Sequence, residues 1–416
     1  MYKLYFKQAI EMLRQNKFIS IISIAGTALA IMMIMVLIVT QQIKEADVSP
    51  ENNRSHILYL KAQMEKKEHS SRSGPLSYET VKDLVMHIEN AEYTSGFIPN
   101  QFGSEDHTIK TRDMKTRMPV ELMATDVNYW KILSFSFIAG KPFSQAEFDS
   151  GLRNVIVSRS LAEKVFGKQD AMGKTIDLNN NEYTVSGIVE NVSNVFACAY
   201  ADVWIPYTSM KGYEKMSSYM GIALAKSKSD FPAITEEVRA YEKKRDLTSE
   251  WTLNITGPFT HYEQLINPYG FSDKSVKTYR YRMIFIFSIL FLVPAINLSG
   301  LSLSRVKRRT EEIGVRKAFG AKKRVILIQI LYENFITSLL GGIIGLILSY
   351  FVVIILKGWL LGANEDSAVP LTALVSLPVF LAVVVVSFIL NLLSSGIPAY
   401  KAAGMKIVDS LNRNNN

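Results

Sequence analysis

The sequence predicts an α-helical membrane protein: four transmembrane helices, with an α+β extracytoplasmic domain between the first and the second. Three observations predict it. Four apolar blocks lie near the two ends of a 416-residue chain that is 48% hydrophobic. Between the first two blocks, residues 41–282 form one polar region, long enough for one or two domains with cores of their own. Between the second and third, residues 305–324 (RVKRRTEEIGVRKAFGAKKR) carry nine Lys or Arg against Glu311 and Glu312, a net charge of +7. Excess Lys and Arg holds a short loop in the cytoplasm. This one loop therefore places both termini inside and residues 41–282 outside.

Residues 1–17 come first. Tyr2, Phe6, Ala9, Ile10 and Leu13 recur at helical spacing, and Lys3, Lys7 and Arg14 fall elsewhere on the wheel. This reads as an amphipathic helix lying on the inner leaflet. Residues 18–40 carry no charge. They are longer than a signal-peptide core and read as an uncleaved anchor. Residues 283–304 and 371–395 are also uncharged, and residues 325–356 contain one charge, Glu333. About 20 apolar residues cross a bilayer, and soluble helices of this length show a polar face that these runs lack. In the third block, Gln329, Glu333 and Asn334 point to a start at the cytoplasmic interface, with the span proper beginning near Phe335; a solvated, snorkelling Glu333 is favoured there over a functional intramembrane carboxylate. Residues 357–370 are nearly neutral, as an outer loop should be, and residues 396–416 form a basic cytoplasmic tail.

Within 41–282 the pattern alternates between strand and helix. Residues 56–62 and 118–125 each read as one strand, and 77–90 as a helix with Ser77 at its N-cap. Residues 154–158 read as a strand leading into a helix. Residues 174–190 form a hairpin about Asn179–Asn181, 230–246 a long helix and 250–256 a strand. The mixed order predicts α+β rather than a doubly wound sheet.

Several chemistries are excluded. Residues 167–175 (GKQDAMGKT) imitate a phosphate loop, but five residues separate Gly167 from Gly173 where four are required. No H-E-x-x-H, G-x-S-x-G or metal-spaced histidine cluster occurs, so no catalytic, cofactor-binding or metal site is expected. The single cysteine, Cys198, reads as a small buried hydrophobe. The net charge of +9 concentrates in the short loop and the tails, where the inner membrane surface accounts for it without a nucleic acid. In the spans, Gly26 and Ala30 form one small-x-x-x-small pair and Gly341 and Gly345 another, read as helix-packing positions. Packing inside one subunit is favoured over a dimer contact for the latter pair. Pro294 and Asn297 interrupt the second span, and Pro294 is a candidate bend or hinge.

Residues 308–349 closely resemble the signature of the MacB/FtsX-like ABC transporter permeases. That signature is an E-I-G-[IV]-R-K-[AT]-x-G-A helix, a basic step, then a span opening with Glu and followed by paired glycines. The matches are Glu312, Ile313, Gly314, Val315, Arg316, Lys317, Ala318, Gly320, Ala321, Glu333, Gly341 and Gly342. Residues 397–411 resemble the family's C-terminal ending, with Lys406 where proline is usual. Residues 154–191 and 202–206 look like its periplasmic core domain.

The resemblance implies a non-catalytic permease subunit in the cell inner membrane, working as a homo- or heterodimer. ATP and Mg would be bound by a separate ATPase subunit, since the ATPase is not expected to be fused. Glu311, Glu312, Ile313, Gly314, Val315, Arg316, Lys317, Ala318 and Gly320 would form the helix that couples to it. Closure of the ATPase would move the outer domains, exporting or extracting a hydrophobic, peptide or lipoprotein substrate by mechanotransmission. A periplasmic adaptor and an outer-membrane factor are possible further partners. The competing reading is an FtsX-like signalling permease that activates an extracytoplasmic cell-wall hydrolase. The size of residues 41–282 counts against it.

Overall fold

A computed structural model describes residues 17–100, 107–110, 117–167, 170–267, 274–308, 310–361 and 377–404. The expected helix over 2–16, most of the loop 357–370 and the tail 405–416 lie outside the described residues. In chain order the helices are α1 (Lys17–Glu45), α2 (Tyr78–Asp83), α3 (Tyr129–Ile132), α4 (Gln145–Asp149), α5 (Arg159–Phe166) and α6 (Phe231–Thr248). They continue with α7 (His261–Ile266), α8 (Lys274–Arg308), α9 (Thr310–Ala318), α10 (Lys323–Ile355), α11 (Lys357–Leu361) and α12 (Leu377–Gly404). The chain divides into two compact units.

The helical unit contains the four expected spans, now Ser20–Glu45, Lys277–Ser304, Lys323–Ile355 and Leu377–Gly404. At 1.5 Å per residue, the 35 residues of α8 reach about 52 Å, well beyond a bilayer core of about 30 Å. The helix runs unbroken through Pro294, which leaves the Leu290 carbonyl without its usual donor. Gly341, Gly342 and Gly345 let α10 approach two neighbours at once. A Cβ on Gly341 would lie 2.9 Å from Thr27 Cβ, and one on Gly345 2.7 Å from the Ala28 carbonyl, both on α1. One on Gly342 would lie 2.5 Å from Ser387 Oγ on α12. The Gly341/Gly345 pair thus packs inside one chain. Ala30 is buried, whereas Gly26 is looser, with Leu298 Cδ2 3.9 Å from where its Cβ would stand.

The second unit is α+β. Its strands are β1 (Ile57–Leu60), β2 (Ala62–Lys67), β3 (Ser70–Pro75), β4 (Tyr93–Phe97), β5 (Thr108–Lys110), β6 (Arg117–Pro119) and β7 (Leu122–Thr125). Then follow β8 (Phe137–Gly140), β9 (Asn154–Ser158), β10 (Thr175–Leu178), β11 (Asn181–Val189), β12 (Val203–Pro206), β13 (Met220–Leu224) and β14 (Thr252–Thr256). The largest sheet has the order β6-β5-β10-β11-β9-β12-β7, with β8 added on β11. Two three-stranded sheets, β1-β13-β4 and β14-β2-β3, complete the unit. The β10–β11 hairpin turns at Asn179 and Asn180, with φ of 51° and 63°. Two left-handed residues are what a two-residue type I′ turn demands, and asparagine tolerates them. Helix α5 opens on the Ser158 side chain, which accepts from the Leu161 N–H, and leads from β9 towards its parallel neighbour β11.

Three readings of the sequence are corrected. Residues 56–62 are not one strand: β1 pairs with β13, and after Lys61 the chain enters a different sheet as β2. Residues 118–125 also divide, with β6 and β7 at opposite edges of the large sheet. Pro119 lacks an N–H and suits an edge, while the Glu121 N–H turns to Asp202 Oδ2 at 3.1 Å. The helix over 77–90 keeps its Ser77 cap but runs only to Asp83, followed by a 3₁₀ turn at Val85–His87. In the first two cases residues far away in sequence supply the partner that breaks the local pattern.

The core of this unit is largely aliphatic and contains an aromatic cluster. Trp204, Tyr129, Phe143 and Phe97 are fully buried, and Trp130 and Phe135 pack against Trp204 with ring centroids 6.3 and 5.5 Å away. Cys198 is buried, as expected, and burial pushes its thiol up to about 12. Arg54 and Glu51 form a buried ion pair, Nε to Oε2 at 2.7 Å. The rest of that guanidinium donates to the carbonyls of Lys44 and Ala46 at 3.2 Å and of Val195 at 3.3 Å. It lies over the Phe196 ring.

Asp126 joins β4 to the start of α3. Its Oδ1 accepts from Ser95 Oγ at 2.7 Å and the Tyr129 N–H at 2.9 Å, and its Oδ2 from the Gly96 N–H at 2.9 Å. Burial pushes the carboxyl up from 3.8 to about 6 against the downward pull of those bonds. A raised carboxyl favours the fold below the unfolded value, and that contribution is lost as pH rises through the folded one. The Tm of the whole chain, relative to Asp126→Asn, is therefore expected to fall between about pH 4 and 6. The change corresponds to roughly 3 kcal/mol. Parallel pH profiles for the two chains would refute the assignment.

Candidate functional site

Helix α9 is built to sit at a surface. Glu311 and Glu312 occupy its first turn and Arg316 and Lys317 its last, complementing the helix dipole. Glu312 pairs with Arg316 one turn on. The helix ends in a Schellman motif: the Gly320 N–H donates to Lys317 O at 2.9 Å and the Ala321 N–H to Arg316 O at 3.0 Å. Gly320 has φ of +90° and open space where a Cβ would stand, so its backbone angle, not crowding, requires glycine.

The helix has two faces. Thr310, Ile313 and Gly314 point inward. Ile313 joins a cluster with Val306, Ile326, Ile330, Ala399, Ala402 and Ala403. Glu311, Glu312, Val315, Ala318, Phe319 and Gly320 point outward. Arg316 and Lys317 are half-buried between the faces. The nine positions singled out in the sequence therefore divide. Ile313 and Gly314 anchor the helix to its own bundle, so Gly314 is not a surface on which a partner can rest. Phe319, absent from that group, is 89% exposed. Its signal in the sequence is an aromatic residue placed just before the C-terminal glycine, one turn after Val315.

Glu333 is a further correction. The polar residues around it in the sequence put it in solvent, yet it is 3% exposed. Gln329, Glu333 and Asn334 share the inward face of α10, while Val325 and Ile328 point outward. In lipid the inward face is the one that can satisfy polar groups. Gln329 Nε2 donates to Glu333 Oε1 at 2.9 Å, and Arg316 Nη1 donates to Gln329 Oε1 at 2.5 Å.

The imitation phosphate loop falls between α5 and the β10–β11 hairpin, where the Lys174 amine lies 5.4 Å from the centre of the Phe166 ring. Among the described residues, no three His, Cys, Asp or Glu side chains are placed to share a metal ion.

Comparison with known proteins gives two domain matches. Residues 20–241 match the MacB-like periplasmic core domain, and residues 283–407 the FtsX-like permease C-terminal domain. An uncharacterized ABC transporter permease of Bacillus subtilis (strain 168), YknZ, is 21% identical over 413 residues, covering 97% of this chain and 98% of that one. The macrolide export ATP-binding/permease protein MacB of Escherichia coli (strain K12) is 26% identical over 295 residues. These are 69% of this chain but only 42% of the relative. Among solved structures, the extracellular domain of YknZ covers 47% of this chain with a TM-score of 0.34 and 14% identity. All of that domain is covered. The periplasmic region of MacB from Actinobacillus actinomycetemcomitans covers 49% of this chain and 92% of its own length, with a TM-score of 0.36 and 10% identity.

Proposed function

This chain belongs to the MacB/FtsX type of ABC transporter permeases, and from that premise we propose that it converts ATP hydrolysis by a separate ATPase into movement of its extracytoplasmic domain. The movement exports or extracts a hydrophobic, peptide or lipoprotein substrate. ATP and Mg are bound by the ATPase chain. A second permease completes the assembly, and a periplasmic adaptor and an outer-membrane factor fit the same layout. The observation that carries this reading is α9. It is an amphipathic helix capped at Gly320, seated on the bundle through Ile313, and it offers Val315 and Phe319 outward. Residues 167–175 lack the spacing of a phosphate loop, so the ATP site of this reading is not placed there. The apolar blocks 18–40, 283–304, 325–356 and 371–395 are uncharged apart from Glu333, which favours transmitted motion over a wide polar pore.

Motion has to leave the bundle through a stiff element, and α8 continues beyond the expected span edge at Met283 back to Lys274. Helices carry displacement, whereas glycine-rich segments dissipate it. Four glycines inserted after Lys277 are expected to leave assembly and basal ATP hydrolysis intact. They should abolish the ATP-dependent change in distance between spin labels placed at Leu247→Cys on two copies. A full distance change in the inserted chain would overturn transmission through α8.

A further inference from the structure

We propose that Glu333 is a positioning residue for energy coupling: through Gln329 it fixes Arg316, and with it α9, against the third membrane-spanning helix. The proposal rests on α9 being the coupling helix. It adds a part that lies inside the bundle, away from any partner surface.

The geometry is a ladder. Arg316 Nη1 donates to Gln329 Oε1 at 2.5 Å, and Gln329 Nε2 donates to Glu333 Oε1 at 2.9 Å. Gln329 and Glu333 are one turn apart on α10 and so stack on one face. A second chain begins one residue later. Asn334 Nδ2 donates to Ser302 Oγ on α8 at 3.3 Å, and Ser302 Oγ donates to Ser395 Oγ on α12 at 3.2 Å. Asn391 Nδ2 of α12 donates to Leu331 O of α10 at 3.0 Å. Glu333, Ser302, Ser395 and Asn391 are all at most 3% exposed. The two chains lace α8, α9, α10 and α12 together at one end of the bundle.

The physical reason for such a ladder lies in what apolar contact cannot do. Ile313 and the alanines of α12 hold α9 by non-directional contact, which lets a nine-residue helix roll or slide. Hydrogen bonds are directional, and in a low-dielectric interior a chain of them stiffens as a unit. An ionisable residue buried in a spanning segment is unfavourable unless it has partners and a task. The Glu333 carboxyl accepts from Gln329, and an acceptor at that point orients the Gln329 amide, whose oxygen then faces Arg316. An amide in place of the carboxyl also presents an acceptor oxygen, whereas an alkyl group does not.

The test uses the full-length chain in lipid nanodiscs and amide hydrogen exchange across α9. Glu333→Leu is expected to speed exchange over residues 311–318 about tenfold, the scale of one hydrogen bond to a charged group. Glu333→Gln should stay near the unmodified chain, and exchange in β9 should not move in either. Arg316→Met cuts the ladder at its surface end and should also loosen α9. It serves where Glu333→Leu does not fold. Unchanged exchange over α9 in both Glu333→Leu and Arg316→Met overturns the proposal. A second arm adds the ATPase. Faster exchange with undiminished stimulation of ATP turnover would uphold the ladder and refute the coupling role of α9 instead.

Discussion

Phe319→Asp is expected to abolish stimulation of the partner ATPase by this permease while leaving the fold unchanged. Phe319 is 89% exposed, beyond the last turn of α9 and away from the Ile313 cluster, so its own chain gains little from it. A large aromatic residue left in water at the rim of the helix proposed to dock is the kind of anchor that dominates an interface. Losing it and burying a carboxylate should weaken assembly by 2 kcal/mol or more, roughly 30-fold in affinity. Val315→Asp, one turn back on the same face, should behave alike. The measurement is ATPase binding and ATP turnover against permease concentration in nanodiscs. Unaltered binding in both variants would remove α9 as the docking site. Gly314→Trp, which the sequence alone suggests as a test, would not discriminate, because Gly314 faces inward and a bulky side chain there disturbs the bundle itself.

Arg54→Ala is expected to destabilise the outer unit by about 3–5 kcal/mol, the usual penalty for stripping one partner from a buried ion pair. The guanidinium is 1% exposed. Its loss leaves the Glu51 carboxylate uncompensated and deprives three carbonyls of a donor. Glu51 Oε1 keeps the Cys198 N–H, 2.9 Å away. Arg54→Lys keeps the charge but cannot reach the same set of acceptors from one planar fork, so it should recover only part of the loss. Replacing both residues, with Glu51→Leu and Arg54→Met, should be milder than either single change, since no buried charge is stranded. Thermal unfolding of the four chains checks the order. For a unit of this size the single change corresponds to a fall of about 10 °C in Tm. A shift of one or two degrees for Arg54→Ala would show that water reaches the pair.

Much of the architecture was legible because its causes are local. Asn179 and Asn180 announce their turn through a left-handed preference that neighbouring residues do not alter. Ser77 and Ser158 announce their caps. Elements whose partners lie far off were not legible. Residues 56–62 look like one strand until β13 takes the first half and β14 and β3 the second. Arg54 looks like a loop cation until Lys44, Ala46 and Val195 surround it with carbonyls. The coupling segment was half legible. Its helix, its dipole and its terminal glycine follow from residues 310–320 alone, but the division into an anchoring and an outward face does not.

Composition along the chain was enough to locate four helices long and apolar enough to cross a membrane, and the domain between the first and the second. Transfer into lipid and the pull on basic loops act on each segment separately, whatever the other segments do. Only the packed chain decided which way each polar group in a span points. Glu333 is in solvent or in the bundle according to whether Gln329, Arg316 and the facing helices come together around it. Such a choice is made by partners distant in sequence, and a buried polar group is tolerated only where all of them arrive.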